Sequence, residues 1–116
     1  METNLPGLGV LAQVLDASGL RHRVIAQNVA NVNTPGYKRL DVAFETDLAK
    51  ALAAPGGGAP VKPRVVTGDG PERADGNTVD IDAEMNALTR NALLYQAAAQ
   101  IMASRVGALR SAISGR

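Results

Sequence analysis

The sequence predicts a mainly α fold. Long N- and C-terminal helices pair as a coiled coil, with a short helix and an irregular, short extended middle segment between them. Three observations predict it. Apolar residues near the start recur at alternating spacings of three and four. The same rhythm returns, longer and cleaner, near the end. Between the stripes lies a stretch of proline, glycine and acidic residues that fits neither. At 116 residues the chain makes a single domain, 1–116.

The first stripe is Leu8, Leu11, Leu15, Ser18, His22, Ile25 and Val29, with Ser18 and His22 as polar interruptions. It marks an N-terminal helix over 5–33. Asn4 is a candidate cap and Pro6 suits a first turn, while Gly7 and Gly9 weaken that turn. A turn follows over 34–39. Pro35 disfavours the α region for Thr34, and Pro35-Gly36 fits the centre of a type II turn. Asn31 and Asn33 have side chains that satisfy loose groups at the helix end.

Leu40, Phe44, Leu48 and Leu52 fall four apart and predict a short amphipathic helix within 40–53. Residues 54–80 read as a flexible or short extended middle. "APGGGAP" at 54–60 is a linker; "VKPRVVT" and "NTVDID" are short extended pieces. The last stripe is Ile81, Met85, Leu88, Ala92, Tyr95, Ala99, Met102, Val106, Leu109 and Ile113, a helix over 81–114. Asp80 or Asp82 caps it, and Glu84 suits its positive end. Arg105, Arg110 and Arg116 suit its negative end. At 1.5 Å per residue it is roughly 45–50 Å long, too long for a compact domain. The expected seam sets Leu8, Leu11, Leu15, Ile25 and Val29 against Ile81, Met85, Leu88, Tyr95, Met102, Val106, Leu109 and Ile113.

Outside the seam both helices carry small or uncharged residues rather than the usual Glu and Lys. That favours packing on more than one side within an assembly. The competing reading is that alanine is simply a good helix former. Aromatic residues make up 3% of the chain, so a core built mainly from alanine is weak, and stability is expected to come partly from partners.

The same composition excludes several functions. A net charge of +1 argues against general attraction to nucleic acid. The absence of cysteine removes disulfides, thiol catalysis and thiolate metal sites. The first residues hold no positive region followed by an apolar run, so no cleavable secretory signal is expected. No apolar run approaches the roughly 20 residues needed to span a bilayer. His22 is the single histidine, expected to be partly buried and hydrogen-bonded rather than a ligand or base. Asp80 and Asp82 are paired carboxylates, but they stand where a helix needs a cap. "PGGGAP" lacks the Lys-Ser or Lys-Thr of a phosphate loop. Tyr37, Lys38 and Arg39 read as a solvated turn or an ion pair with a neighbour. The expectation is no enzyme, no catalytic residue, no metal, no cofactor and no small-molecule substrate.

"ANVNTPGYKR", Ala30 to Arg39, resembles the N-terminal signature of the bacterial flagellar rod and hook axial proteins. Asp75-Gly76-Asn77-Thr78-Val79-Asp80, then Glu84-Met85 and Leu94-Tyr95-Gln96, resemble a proximal rod protein within that family. The resemblance covers both ends of the chain and the entry to the last helix; residues 54–74 lie outside it. It implies an axial subunit of the flagellar basal body rod, whose terminal helices pair and stack around a channel. It implies an assembly signature of Asn28, Ala30, Asn31, Asn33, Thr34, Pro35, Gly36 and Tyr37, with Asn28, Asn31 and Asn33 bonding between subunits. The implied partners are copies of itself, other rod proteins, the membrane-ring adaptor at the rod base and the flagellar type III export apparatus. The implied location is the periplasmic rod, reached without a cleavable signal. The alternatives are another proximal rod subunit, or a non-flagellar adaptor that binds one partner helix.

Overall fold

A computed structural model describes residues 7–115. The expectations at Asn4, Pro6 and Arg116, and the start of the first helix at residue 5, lie outside the described residues. The chain forms helix α1 (Leu8–Ala30), strand β1 (Leu40–Ala43), helix α2 (Glu45–Ala53), a 3-10 turn at Pro55–Gly57, strand β2 (Arg64–Thr67) and helix α3 (Ile81–Ser114). It is mainly helical, as the two stripes predict.

α1 and α3 lie antiparallel along each other. Asn28 meets Glu84, Ser18 meets Asn91, and Gly7 lies against the Arg105 guanidinium. The 34 residues of α3 supply about 51 Å of the molecule's long dimension, and the extents are 64 × 31 × 19 Å. The radius of gyration is 17.8 Å, against about 13 Å for a compact chain of this length. The accessible surface is 7749 Å², where a compact monomer of this mass exposes about 6000 Å². The chain on its own is under-buried.

The seam on α3 differs from the expected one. Its buried residues are Glu84, Asn91 and Ala98, while Leu88, Met102 and Leu109 are half-buried. Ile81, Met85, Tyr95, Val106 and Ile113, expected in the seam, are exposed. Val106 and Ile113 follow Arg105, which faces Gly7 at the start of the described chain; for Ile81, Met85 and Tyr95 the reason lies on α1, which presents Ser18 and Asn28, both buried, to its partner. Polar groups that leave water need polar partners, so α3 turns Asn91 and Glu84 inward and leaves Ile81, Met85 and Tyr95 outside. On α1, Ile25 is buried and Leu8, Leu11, Leu15 and Val29 are half-buried. His22 is exposed, not partly buried as expected.

A second face of α1 carries the apolar core. Ala17 and Val24 pack with Val42 and Phe44, flanked by Val14, Leu20, Leu40, Leu48 and Val61. Part of the expected short helix is therefore a strand. Residues 40–43 are β1, paired antiparallel with β2 in the register Leu40↔Thr67, Asp41↔Val66, Val42↔Val65 and Ala43↔Arg64. The spacing of four between Leu40 and Phe44 hides an alternation: Leu40 and Val42 point to the core, and Asp41 and Ala43 away from it. The helix starts only after Phe44, and the last member of that stripe, Leu52, is exposed.

Because so few side chains form the core, each matters. Phe44→Ala is expected to cost about 3–5 kcal/mol, from lost burial and the cavity left behind. Urea unfolding followed by circular dichroism measures it; a change below about 1 kcal/mol would mean that the site collapses freely.

Candidate functional site

α1 ends in an Asn-rich run that feeds the Pro-Gly turn, and α3 begins just after a second turn, Asp75-Gly76. These stretches are joined by buried polar side chains. The joint has two centres, Asn28 and Asn77, both fully buried.

Asn28 makes four hydrogen bonds. Its Nδ2 donates to Leu40 O at 2.8 Å and to Glu84 Oε2 at 3.3 Å. Its Oδ1 accepts from Leu40 N at 2.9 Å and from Tyr37 Oη at 3.1 Å. That is the full capacity of an amide side chain. Toward Leu40 the amide acts as a neighbouring strand would, donating to its carbonyl and accepting from its N–H. The expected role of Asn28 between subunits is corrected here: every one of its polar atoms is occupied within the chain.

Glu84 is 1% exposed and lies between Asn28 and Arg39. Arg39 Nε donates to Glu84 Oε1 at 2.9 Å, Arg39 Nη1 donates to Asp69 O at 3.0 Å, and Asp41 lies 3.7 Å away. Burial pulls the Arg39 pKa down, but the Glu84 hydrogen bond and the charges of Glu84, Asp41 and Asp69 outweigh it and raise the value. Burial pushes the Tyr37 phenol up; a hydrogen bond with Gln27 opposes this, and the Glu84 charge adds to it. The guanidinium therefore stays charged and the phenol neutral at physiological pH, which fixes Tyr37 as the donor to Asn28.

Asn77 gathers the end of α1. Its Nδ2 lies within hydrogen-bonding distance of Asn31 O (3.0 Å), Val32 O (3.2 Å) and Thr34 O (2.8 Å), and its Oδ1 accepts from Val79 N at 2.7 Å. A helix end leaves carbonyls without intrahelical partners, and here they converge on one remote amide. Arg73 reinforces it, donating to Val32 O and, at 3.0 Å, to Val79 O. Asn31 Nδ2 returns to Gln27 O at 2.8 Å, so this side chain also serves its own helix.

The two turns zip together. Gly36 has φ 73°, and Tyr37 N donates to Thr34 O at 3.2 Å, closing the Thr34-Pro35-Gly36-Tyr37 turn. Gly36 N donates to Asp75 O at 2.8 Å, and Thr78 N to Tyr37 O at 3.1 Å. Thr78 Oγ1 accepts from Arg39 N at 2.8 Å. Ala30, Asn33, Thr34, Pro35 and Gly36 remain exposed on the surface of the joint. Asp80 then caps α3, accepting from Asp82 N at 3.0 Å and Ala83 N at 3.3 Å, while Asp82 lies exposed in the first turn. Further along, Ser18 Oγ donates to Asn91 Oδ1 at 3.0 Å and Asn91 Nδ2 returns to Ser18 O at 2.8 Å. This reciprocal pair holds the two helices in one register, as a single polar pair does in a coiled coil.

Sequence reading passed over Asn77, Glu84, Asn91, Arg39 and Arg73 as joint residues. The available signal was their spacing: Glu84, Asn91 and Ala98 fall seven apart, a heptad that an apolar pattern search skips.

Residues 20–38 match the family model for the flagella basal body rod protein. They run from the second half of α1 through the turn to Lys38, one side of the joint. The chain is 31% identical to the flagellar basal body rod protein FlgB of Aeromonas hydrophila, over 92% of this chain and 92% of that one. It is 32% identical to FlgB of Cereibacter sphaeroides, over 93% and 94%. The chain belongs to the FlgB family of flagellar basal body rod proteins. FlgB of Bacillus subtilis is 28% identical over 90% of this chain and 91% of its own length. The FlgB relatives thus match across helices, sheet and joint together.

Two substitutions test the joint. Asn77→Asp replaces the amide donor at three carbonyls, of which only Val32 O is also reached by Arg73, with an acceptor, and about 3 kcal/mol or more should be lost. A near-neutral result in urea unfolding would remove Asn77 as the cap. Arg39→Met strands the Glu84 carboxylate and should cost about 3–5 kcal/mol, whereas Arg39→Met with Glu84→Met should recover much of that loss. Strict additivity in this double-mutant cycle would show that the two groups are not coupled.

Proposed function

We propose that this chain is a structural subunit of the proximal rod of the flagellar basal body. In this reading it assembles with copies of itself and other rod proteins into a tubular drive shaft, which transmits torque and surrounds the export channel. It is delivered by the flagellar type III export apparatus, seats on the membrane-ring adaptor in the periplasm and performs no catalysis.

One observation carries the reading: the large apolar side chains that α3 leaves exposed. Met85, Leu93, Leu94, Tyr95, Ile101, Val106 and Ile113 are all exposed, along a helix that also presents neutral Asn, Gln, Ser and Ala. A lone subunit gains nothing from so many large apolar side chains left in water around one helix, and neighbours that close over it would bury them. The joint supports the same reading. It fixes the angle at which β1 and α2 leave the helix pair, which a subunit needs when neighbours contact both parts. Ala30, Asn33, Thr34, Pro35 and Gly36 are assigned here to subunit contacts at the surface of the joint. Leu88, Met102 and Leu109, with Leu8, Leu11, Leu15, Ile25 and Val29, are assigned to the seam within the subunit.

Deletion of the gene should abolish swimming and external hooks and filaments while the membrane ring persists. Normal flagella in that strain would overturn the reading. Leu93→Asp separates assembly from folding, since Leu93 is 63% exposed. It should change the stability of the isolated chain by no more than about 0.5 kcal/mol. It should nevertheless prevent swimming, because an unpaired carboxylate is buried once neighbours close over α3. Full motility with Leu93→Asp would leave that face without a role.

A further inference from the structure

The two edges of the small sheet are treated differently. Gly68 N donates to Arg39 O at 2.9 Å, and this fixes which pairs in the ladder exchange hydrogen bonds. Antiparallel pairing alternates, so with the observed register Asp41 bonds Val66 and Ala43 bonds Arg64. Leu40 and Val42 then direct their backbone groups away from β2, and Val65 and Thr67 direct theirs away from β1.

The β1 edge is sealed. Leu40 N and O both bond the Asn28 amide. Val42 O accepts from Arg21 Nη2 at 3.3 Å, and Val42 N donates to Asp41 Oδ1 at 2.8 Å. The β2 edge is open. Among the described residues no side chain or backbone group reaches the outward N–H and C=O of Val65 and Thr67. The side chains there are also uncovered. Val65 is 48% exposed, although it lies on the same face of the sheet as its cross-strand partner Val42, which is 6% exposed. An open strand edge beside an exposed aliphatic residue is a template for another strand, and folds normally blunt it. Here the helix blunts one edge and leaves the other.

Charge selects the occupant. Residues 61–68 hold two cations, Lys62 and Arg64, and no acid. Arg64 pairs with Asp47 at 3.0 Å yet keeps 60% of its side chain exposed. Alternation puts Lys62, Arg64 and Val66 on the face away from the core and Val65 and Thr67 on the core side. A second copy of β2 would set two cations against two cations. We infer that β2 is a docking edge for a short extended segment of a different polypeptide, acidic on the face beside Lys62 and Arg64 and aliphatic on the face beside Val65. Pro63, which has no N–H, limits the ladder on one side, so the docked segment is only a few residues long.

The probe is a capped hexapeptide of alternating valine and glutamate, added to the isotopically labelled full chain. Amide exchange read by NMR should slow at Val65 and Thr67 by about tenfold when free peptide is about ten times its Kd. Exchange at Val66, whose N–H is already in the ladder, should stay unchanged. The same peptide with lysine in place of glutamate should have no effect. Absence of slowing overturns the inference, as does equal slowing by the lysine peptide. Slowing that depends on protein concentration without peptide also overturns it, since a second copy would then be the occupant. Val65→Pro removes one outward N–H and no ladder bond. It should keep the thermal midpoint within about 4 °C of the parent and abolish the peptide response. Where the deletion strain does not swim, Val65→Pro should also lose swimming, and normal swimming of that variant would then overturn the inference. The inference does not rest on the rod assignment: if that assignment fails, the deletion strain itself swims while the peptide response persists.

Discussion

Everything in this fold turns on the buried contact between Asn28 and Glu84. It ties the end of α1 to the start of α3, and through Leu40, Tyr37 and Arg39 it holds the strand and the turn between them. A carboxylate 1% exposed costs free energy unless it is paired and hydrogen-bonded, so Arg39 and Asn28 are obligatory once Glu84 is inside. The joint therefore has one satisfied arrangement. A slide of one helix past the other would strand a charge.

Such a joint adds direction more than net stability. Apolar packing would hold two helices at least as tightly, but it tolerates rotation and slippage. The Ser18–Asn91 pair adds a second polar contact a few turns away, and two such contacts define both the register and the facing of α3. Asparagine supplies the chemistry repeatedly. At residue 28 it stands in for a strand, at 77 for a helix cap and at 91 for half of a reciprocal pair. With one phenylalanine and no tryptophan, the chain has few large side chains with which to set geometry by shape. It sets geometry by hydrogen bonds instead.

This accounts for what the sequence made legible. Two long stripes with spacings of three and four led to the helices and the mainly α class, because period and length are local properties. The Pro-Gly turn was legible for the same reason. The joint was not, because its partners come from afar: Asn77 serves carbonyls 43 to 46 residues earlier in the chain. The α3 seam was misread because a search for apolar residues assumes that polar ones face water. Glu84 and Asn91 reverse that assumption, and only the polar seam residues of α1 explain why. Residues 40–43 were read as helix because Leu40 and Phe44 lie four apart, although strand alternation accounts for Leu40 and Val42 equally well.

The reversed seam also has a consequence for the surface. Turning Glu84, Asn91 and Ala98 inward leaves Met85, Leu93 and Ile101 on the remaining sides of α3, so polar specificity inside and exposed apolar side chains outside arise from the same facing of the helix. A chain built this way is under-buried alone and gains stability as neighbours cover those side chains, by an amount that grows with the logarithm of their concentration over Kd. Its internal geometry meanwhile stays fixed by hydrogen bonds that do not compete for the same surface. Apolar contacts between subunits then add cohesion without altering the subunit's shape, because the residues that define the shape are already out of water.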